Sequence, residues 1–414
     1  MNSNKKILIR IFLTGLMVAG LLAALTLLNT WLTGQPAADN EFLPGWNAAR
    51  LWLLDGNSPY SAETALNAQQ LVYQRAAKIN AGEDPIHFTQ PVQAIFIYAV
   101  FGYLGLPLAM GLWMTINQVL LIAAVLILIK ITGAPGSVWL QAVLAGCLAA
   151  SYYAVSAFAT GAIYPLILFS YAVLLWAIKN GRERTTGLLM AVTSVQPGVS
   201  LLVILYVLVW SMRQEKYRVW IMYCISMVAL IGVGTFLVPG WFLAWLKQLW
   251  VIPGILEWRG EAIRTIAKLA PGISEHLIII ATLLFALYLL YTWGRTDGSR
   301  FTAVLRCINL TFVVTIFVLP ISAGMMQVLL FPAVIQFLQV LRARFGVRGD
   351  RIAIILVIIL AIGSWPLYLL TRHGLQESHA ILLPLPILLL GGFWWSNWWM
   401  LRSPDRLIHN VEDI

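Results

Sequence analysis

"MNSNKKILIRIFLTGLMVAGLLAALTLLNTWL", residues 1–32, decides the class of fold. After a basic start at Lys5, Lys6 and Arg10, its apolar run exceeds the hydrophobic region of an ordinary signal peptide, and no Ala-x-Ala site closes it. The run is long enough to cross a hydrocarbon core as a helix. We read it as a retained first span with its basic end in the cytoplasm. Similar apolar runs of roughly 17–25 residues recur along the chain. The whole sequence is 60% hydrophobic and only 11% charged, which excludes a soluble globular domain.

Counting these runs predicts an all-α integral-membrane protein, a polytopic helical bundle of about twelve transmembrane helices forming one domain over 1–414. The expected spans are 7–32, 89–105, 108–130, 137–157, 161–179, 186–211, 219–238, 273–293, 301–320, 325–341, 352–371 and 380–400. Tryptophans at the ends of the runs suit the headgroup level. The basic segments "RQEKYR" (213–218), "GRTDGSR" (294–300) and "RARFGVRGDR" (342–351) then fall inside, with both termini cytoplasmic in the plasma membrane. "KNGRER" (179–184) conflicts, because the count leaves it outside. Pro197 and Gly198 in "SVQPGVS" (194–200) offer a break into two half-helices that would resolve the conflict.

The net charge of +10 reads as lipid orientation. No basic block interleaved with aromatics calls for nucleic acid. Cys147, Cys224 and Cys307 lie inside apolar runs without short-range partners, as inert thiols do. No His/Cys cluster supports a metal, and "EDP" (83–85) is a weak pair of acids; we expect neither metal nor cofactor.

Two extracytoplasmic segments are too long for turns. Residues 33–88 carry six acids against three bases, and within them Ala62, Ala65, Leu66, Val72, Tyr73 and Ala76 share a face of an expected interfacial helix. Residues 239–272 open with Trp241, Trp245, Leu249 and Ile252 at helical spacing, then bring Arg259, Arg264 and Lys268 close together.

Here the residues carry a resemblance. "EFLPGWNAARLWLLDGNSPY" (41–60) resembles the stretch after the first span in glycosyltransferase family 87, the polyprenyl-phosphate-mannose-dependent mannosyltransferases. "HFTQPVQAIFIYAVFGYLGLP", "GLLMAVTSVQPGVSLLVIL" and "VLPISAGMMQVLLFPAVI" resemble later family segments in the same order, over about residues 5 to 340. The chain departs from the family pattern at Gln90 in place of Tyr, Ala162 in place of Gln after Gly161, Gln196 in place of Lys, and "AGMM" (323–326) in place of a His-containing segment.

The resemblance implies a GT-C fold with its active site at the extracytoplasmic membrane surface. The donor would be a polyprenyl-phosphate hexose, mannose foremost, and the acceptor a lipid or glycan, with membrane lipids as the remaining partners. Direct inverting transfer needs one carboxylate to take the acceptor proton, and a phosphate leaving group makes a general acid dispensable when donors or cations stabilise it. Glu41 aligns with the family's acidic position and is the expected base, with Asp39 as competitor. Trp46, Arg50, Tyr60, His87, Gln90, Gln196, Arg259, Arg264, Lys268 and Gln327 are the expected substrate contacts. Asp55 reads as part of a turn. A lipid flippase or transporter and an inactive relative are the alternatives. The scarcity of charge within the spans weighs against ion-coupled transport.

Overall fold

The computed structural model describes residues 3–33, 37–81, 83–133, 137–251, 275–319, 323–372 and 377–400. Among them there are helices and no strands. The chain forms two compact units, Met1–Val119 with Phe158–Ile163, and Leu120–Ala157 with Tyr164–Ile414.

In the first unit α1 (Ser3–Leu32) is the long apolar run. Its neighbour is α5 (Leu106–Thr132), and the two meet through a polar seam. Asn29 Nδ2 donates to Thr115 Oγ1 (2.9 Å) and Gln118 Oε1 (3.0 Å), and Thr26 Oγ1 lies 3.1 Å from Thr115 Oγ1. A side chain on Gly111 would collide with Thr30, so the backbones approach closely there, as small residues allow between membrane helices.

Between these helices lie α2 (Leu43–Asp55), α3 (Ala62–Tyr73) and the short α4 (Ile95–Ala99). The expected span over 89–105 does not form. A 3-10 turn at Val92–Ala94 runs into α4, and turns follow to Leu104. Pro91, Gly102, Gly105 and Pro107 break the run, whose apolar residues Val92, Ala94, Ile95 and Tyr98 fill the core of the unit. Helix α3 begins on Ser61, whose hydroxyl accepts from Thr64 N–H. It buries Thr64 and Ala68 and leaves Leu66, on the expected interfacial face, and Leu71 exposed, while Ala76 lies beyond its end.

The second unit contains α6 (Val138–Ala150) and α7 (Tyr152–Ala159), a pair bent by 57°. Then follow α8 (Tyr164–Lys179), α9 (Glu183–Thr193), α10 (Pro197–Arg213), α11 (Tyr217–Leu237) and α12 (Trp241–Val251). After Glu275 come α13 (Glu275–Arg295), α14 (Phe301–Val318), a 3-10 segment (Gly324–Leu330), α15 (Phe331–Phe345), α16 (Val347–Thr371) and α17 (Pro384–Met400). Among the described residues six helices are long and apolar enough to cross a membrane, up to seven when the bent pair counts as one span, and three shorter apolar helices accompany them. Of the twelve expected runs, 89–105 forms no single helix and 186–211 is divided between α9 and α10. Amphipathic α12 carries Trp241, Trp245 and Leu249 of the expected face, with Trp241 buried and Phe242, Leu243 and Trp250 exposed; Ile252 lies outside the described residues.

The basic loops of the second unit gather at one end. Lys179 Nζ donates to the Ile131 carbonyl (2.8 Å) and stands over the Phe301 ring. Trp210 Nε1 donates to the Gly298 carbonyl (2.9 Å), Arg213 to Trp293 (2.6 Å), and Arg342 to Gly133 (3.2 Å). "KNGRER" therefore joins the other basic loops, correcting its expected place on the opposite side. The cause is the break at Gln196-Pro197, which turns the apparent span 186–211 into a hairpin of α9 and α10. Gly198 faces Leu319, at the far end of α14 from Phe301, so the hairpin apex lies at the end away from the basic loops.

Candidate active site

Glu41 sits in the first unit, immediately before α2, on a backbone fixed from both sides. Its N–H donates to the Thr160 carbonyl (2.7 Å). The side-chain oxygen of Asn40 accepts from Phe42 N–H (3.0 Å) and Leu43 N–H (2.9 Å), satisfying amides that the helix start leaves open. Phe42 is fully buried in a cluster with Tyr98, Phe101 and Trp113, and it stacks on Trp113 at 5.6 Å and 24°. Such ring pairs contribute about 0.5–1.5 kcal/mol each beyond burial. Trp113 Nε1 in turn donates to the Gly161 carbonyl (2.7 Å), and Asn117 to Ala162 (3.0 Å). Gly161 has φ +69°, and a side chain there would strike Phe42 and Met110.

While its backbone is locked, the Glu41 side chain is exposed. Protein atoms nevertheless crowd its carboxyl group. That crowding, followed by the charges of Asp84 and Asp39, pushes its pKa up to about 7. Solvent at the exposed side chain opposes the shift, and its upward direction is what the chemistry uses. The Tyr98 hydroxyl lies within electrostatic reach of Glu41 and takes a hydrogen bond from Gln90. Gln90 Oε1 is buried without a hydrogen-bond partner. Tyr60 OH donates to the Gln90 backbone carbonyl (2.8 Å), and Phe88 packs against both Tyr60 and Tyr98. Removing a phenol from solvent raises the Tyr60 pKa.

Tyr98 thus links Glu41, beside Asp39, to Gln90 and through it to Tyr60, and half-buried His87 precedes Phe88. Trp46 and Arg50 turn elsewhere. Trp46 is buried and its indole N–H is shared between the Phe101 (3.1 Å) and Leu104 (3.2 Å) carbonyls. Arg50 donates to Gly102 (2.9 Å) and stands over the Trp46 ring, so both secure the turn after α4.

Gln196 and Gln327 belong to the second unit. Gln196 precedes α10, and Gln327 donates to the Leu382 carbonyl (2.8 Å). Near the "AGMM" segment, Glu377 accepts from Tyr152 OH (2.6 Å), Gly324 N–H (2.7 Å) and Ser156 (3.2 Å), tying three elements together. Arg259, Arg264 and Lys268 lie outside the described residues.

Sequence reading missed Asn40, Asp84, Tyr98 and Thr160. Asn40 carried a usable signal, an Asn shortly before Pro44 at a helix start. Asp84 did not, being distant in sequence. Its carboxylate accepts from Ile86 N–H (2.8 Å), which sits at φ +39°, an uncommon conformation for a β-branched residue. Neighbouring Glu83 is engaged instead by Arg75 through two bonds (2.7 and 2.8 Å) and by Lys78 N–H, which holds its pKa down at about 2. Among the described residues no group of acids, histidines or cysteines is placed to hold a metal ion.

A helical membrane protein with an accessible, proton-retaining carboxylate on a rigid turn is the class these observations define. Residues 88–320 match the model of glycosyltransferase family 87, and the chain belongs to that family. It is a membrane glycosyltransferase. The matched region begins at Phe88, after the Glu41 segment. No curated protein and no solved structure matches the chain.

Proposed function

We propose that the protein moves a hexose, mannose foremost, from a polyprenyl-phosphate donor to a lipid or glycan acceptor, with Glu41 as general base. One observation carries this reading: Glu41 combines a fixed backbone with an open carboxylate whose proton affinity is raised toward neutrality. A base of that strength can take an acceptor proton near neutral pH and release it to solvent afterwards. The unpartnered Gln90 Oε1 supplies a second acceptor atom for substrate hydroxyls. The leaving phosphate requires no acid once neutral donors or cations receive it.

The reading places Glu41 on the extracytoplasmic face of the plasma membrane, with the basic loops and both termini in the cytoplasm, in a GT-C-type arrangement. Asp39 is the weaker candidate for base, and Arg259, Arg264 and Lys268 remain proposed donor contacts. The deciding experiment is transfer by the full-length protein in lipid, using a panel of radiolabelled polyprenyl-phosphate sugars. Glu41→Gln should lower the rate about 10²–10⁴-fold with donor binding retained. Full activity in that variant would remove Glu41 from the role of base.

A further inference from the structure

We propose that the cleft between the α10–α11 and α13–α14 loops seats the phosphate of an anionic phospholipid headgroup. All of its residues belong to the second unit, and the inference stands apart from Glu41 and from the proposed donor.

The cleft is built where helices end. Arg213 closes α10 and Arg295 closes α13. Trp210 Nε1 and Arg213 clamp the neighbouring loop through the Gly298 and Trp293 carbonyls. Gly298 lies so close to Gln214 that a side chain there would strike it. The space these residues enclose, about 10 Å³, admits one oxygen-sized group. Two cations stand at it. The bond to Trp293 engages one of the five guanidinium N–H groups of Arg213 and holds the exposed fork in place. Half-buried Lys216 keeps its ammonium over the Trp210 ring, 4.6 Å from the centroid. A phosphate is an anion that such a fork binds through paired N–H groups.

The charge around the cleft is one-sided. Lys179 stands over Phe301 and so brings a third basic loop to this end of the unit. Residues 179–184, 213–218 and 295–300 together hold eight Lys and Arg against three acids, Glu183, Glu215 and Asp297. Asp297, next to Gly298, is already engaged by the Ser299 N–H (3.0 Å), the Ser299 hydroxyl (2.6 Å) and Arg300 (3.4 Å). A surplus of this kind attracts an anionic lipid, whereas the choline of a zwitterionic one meets like charge.

An apolar rim decides for a lipid over a free phosphate or a nucleic acid. Val209 lies one helical turn before Arg213, and Tyr291 one turn before Arg295, which stands over its ring at 5.2 Å. Both are exposed, as are Met212, Leu287 and Leu290. Residues four apart share a helix face, so the cations cap apolar strips along which acyl chains can lie.

The test is native mass spectrometry of the full chain released from nanodiscs of equimolar phosphatidylglycerol and phosphatidylcholine, with both lipids in both leaflets. Wild type should retain phosphatidylglycerol in preference. Arg213→Gln/Lys216→Gln should lower that preference about tenfold or more, as loss of charge-assisted contacts does. Lys216→Gln alone, which removes no hydrogen bond described above, guards against misfolding and should lower it in the same direction. Arg348→Gln/Arg351→Gln takes as much charge from another loop and should leave the preference intact. An equal loss in the two double variants would mean a diffuse field and overturn the cleft. So would no preference in wild type, or a preference that Lys216→Gln and the cleft pair both leave unchanged. Release of the retained lipid by millimolar inorganic phosphate would overturn the lipid assignment.

Discussion

At the scale of single residues, the raised proton affinity of Glu41 makes its neighbours testable. A base must be unprotonated, so transfer should fall as pH drops below about 7. Asp84 contributes to that value through its charge, hence Asp84→Asn should move the acid limb of the kcat/KM profile to lower pH; an unmoved limb would separate Asp84 from Glu41. Stability follows with a definite sign. Glu41 binds its proton more tightly folded than unfolded, so its contribution is present below pH 4.5 and is lost as pH rises toward about 7. Glu41→Gln should therefore match wild type in melting temperature at pH 4 and exceed it at pH 8. The position of Glu41 was legible through the spacing of "EFLPGWNAAR", but its environment was not. Asp84 and Tyr98 reach it through folding of an apolar stretch that, read alone, looks like a span.

At the scale of elements, small residues decide which backbones can meet. Gly45 leaves room for the Tyr98 ring, which a side chain would strike, and Gly161 combines positive φ with contact to Phe42. Gly161→Ala should cost about 2–4 kcal/mol through backbone strain and overpacking. It should also reduce kcat, because the adjacent Thr160 carbonyl holds the Glu41 amide. Thermal unfolding and transfer kinetics on the same sample check both effects; an undisturbed melting temperature would contradict the packing described. The break at Gln196-Pro197 was visible as a proline in an apolar run and as a charge conflict. The break-up of 89–105 was harder to see, because burial inside protein and burial in lipid select the same apolar residues.

For the molecule as a whole, the clustered basic loops fix a testable sidedness. In a background lacking Cys147, Cys224 and Cys307, single cysteines at Asn180 and Asp297 should be labelled from the same side of sealed vesicles. Labelling from opposite sides would refute the hairpin. The count of spans was poorly legible because hydropathy measures a run's length and not its continuity, whereas the all-helical class was evident from residues 1–32 onward. The hairpin also bears on how the chain is made. Helix α9, "ERTTGLLMAVT", is short and carries Glu183 and Arg184 at its start. Such a segment is a poor candidate to partition into a bilayer unaided. Its entry must wait until α10 has emerged, so that residues 183–213 are integrated as a pair, and a ribosome pause between the two would strand a polar half-helix at the membrane surface.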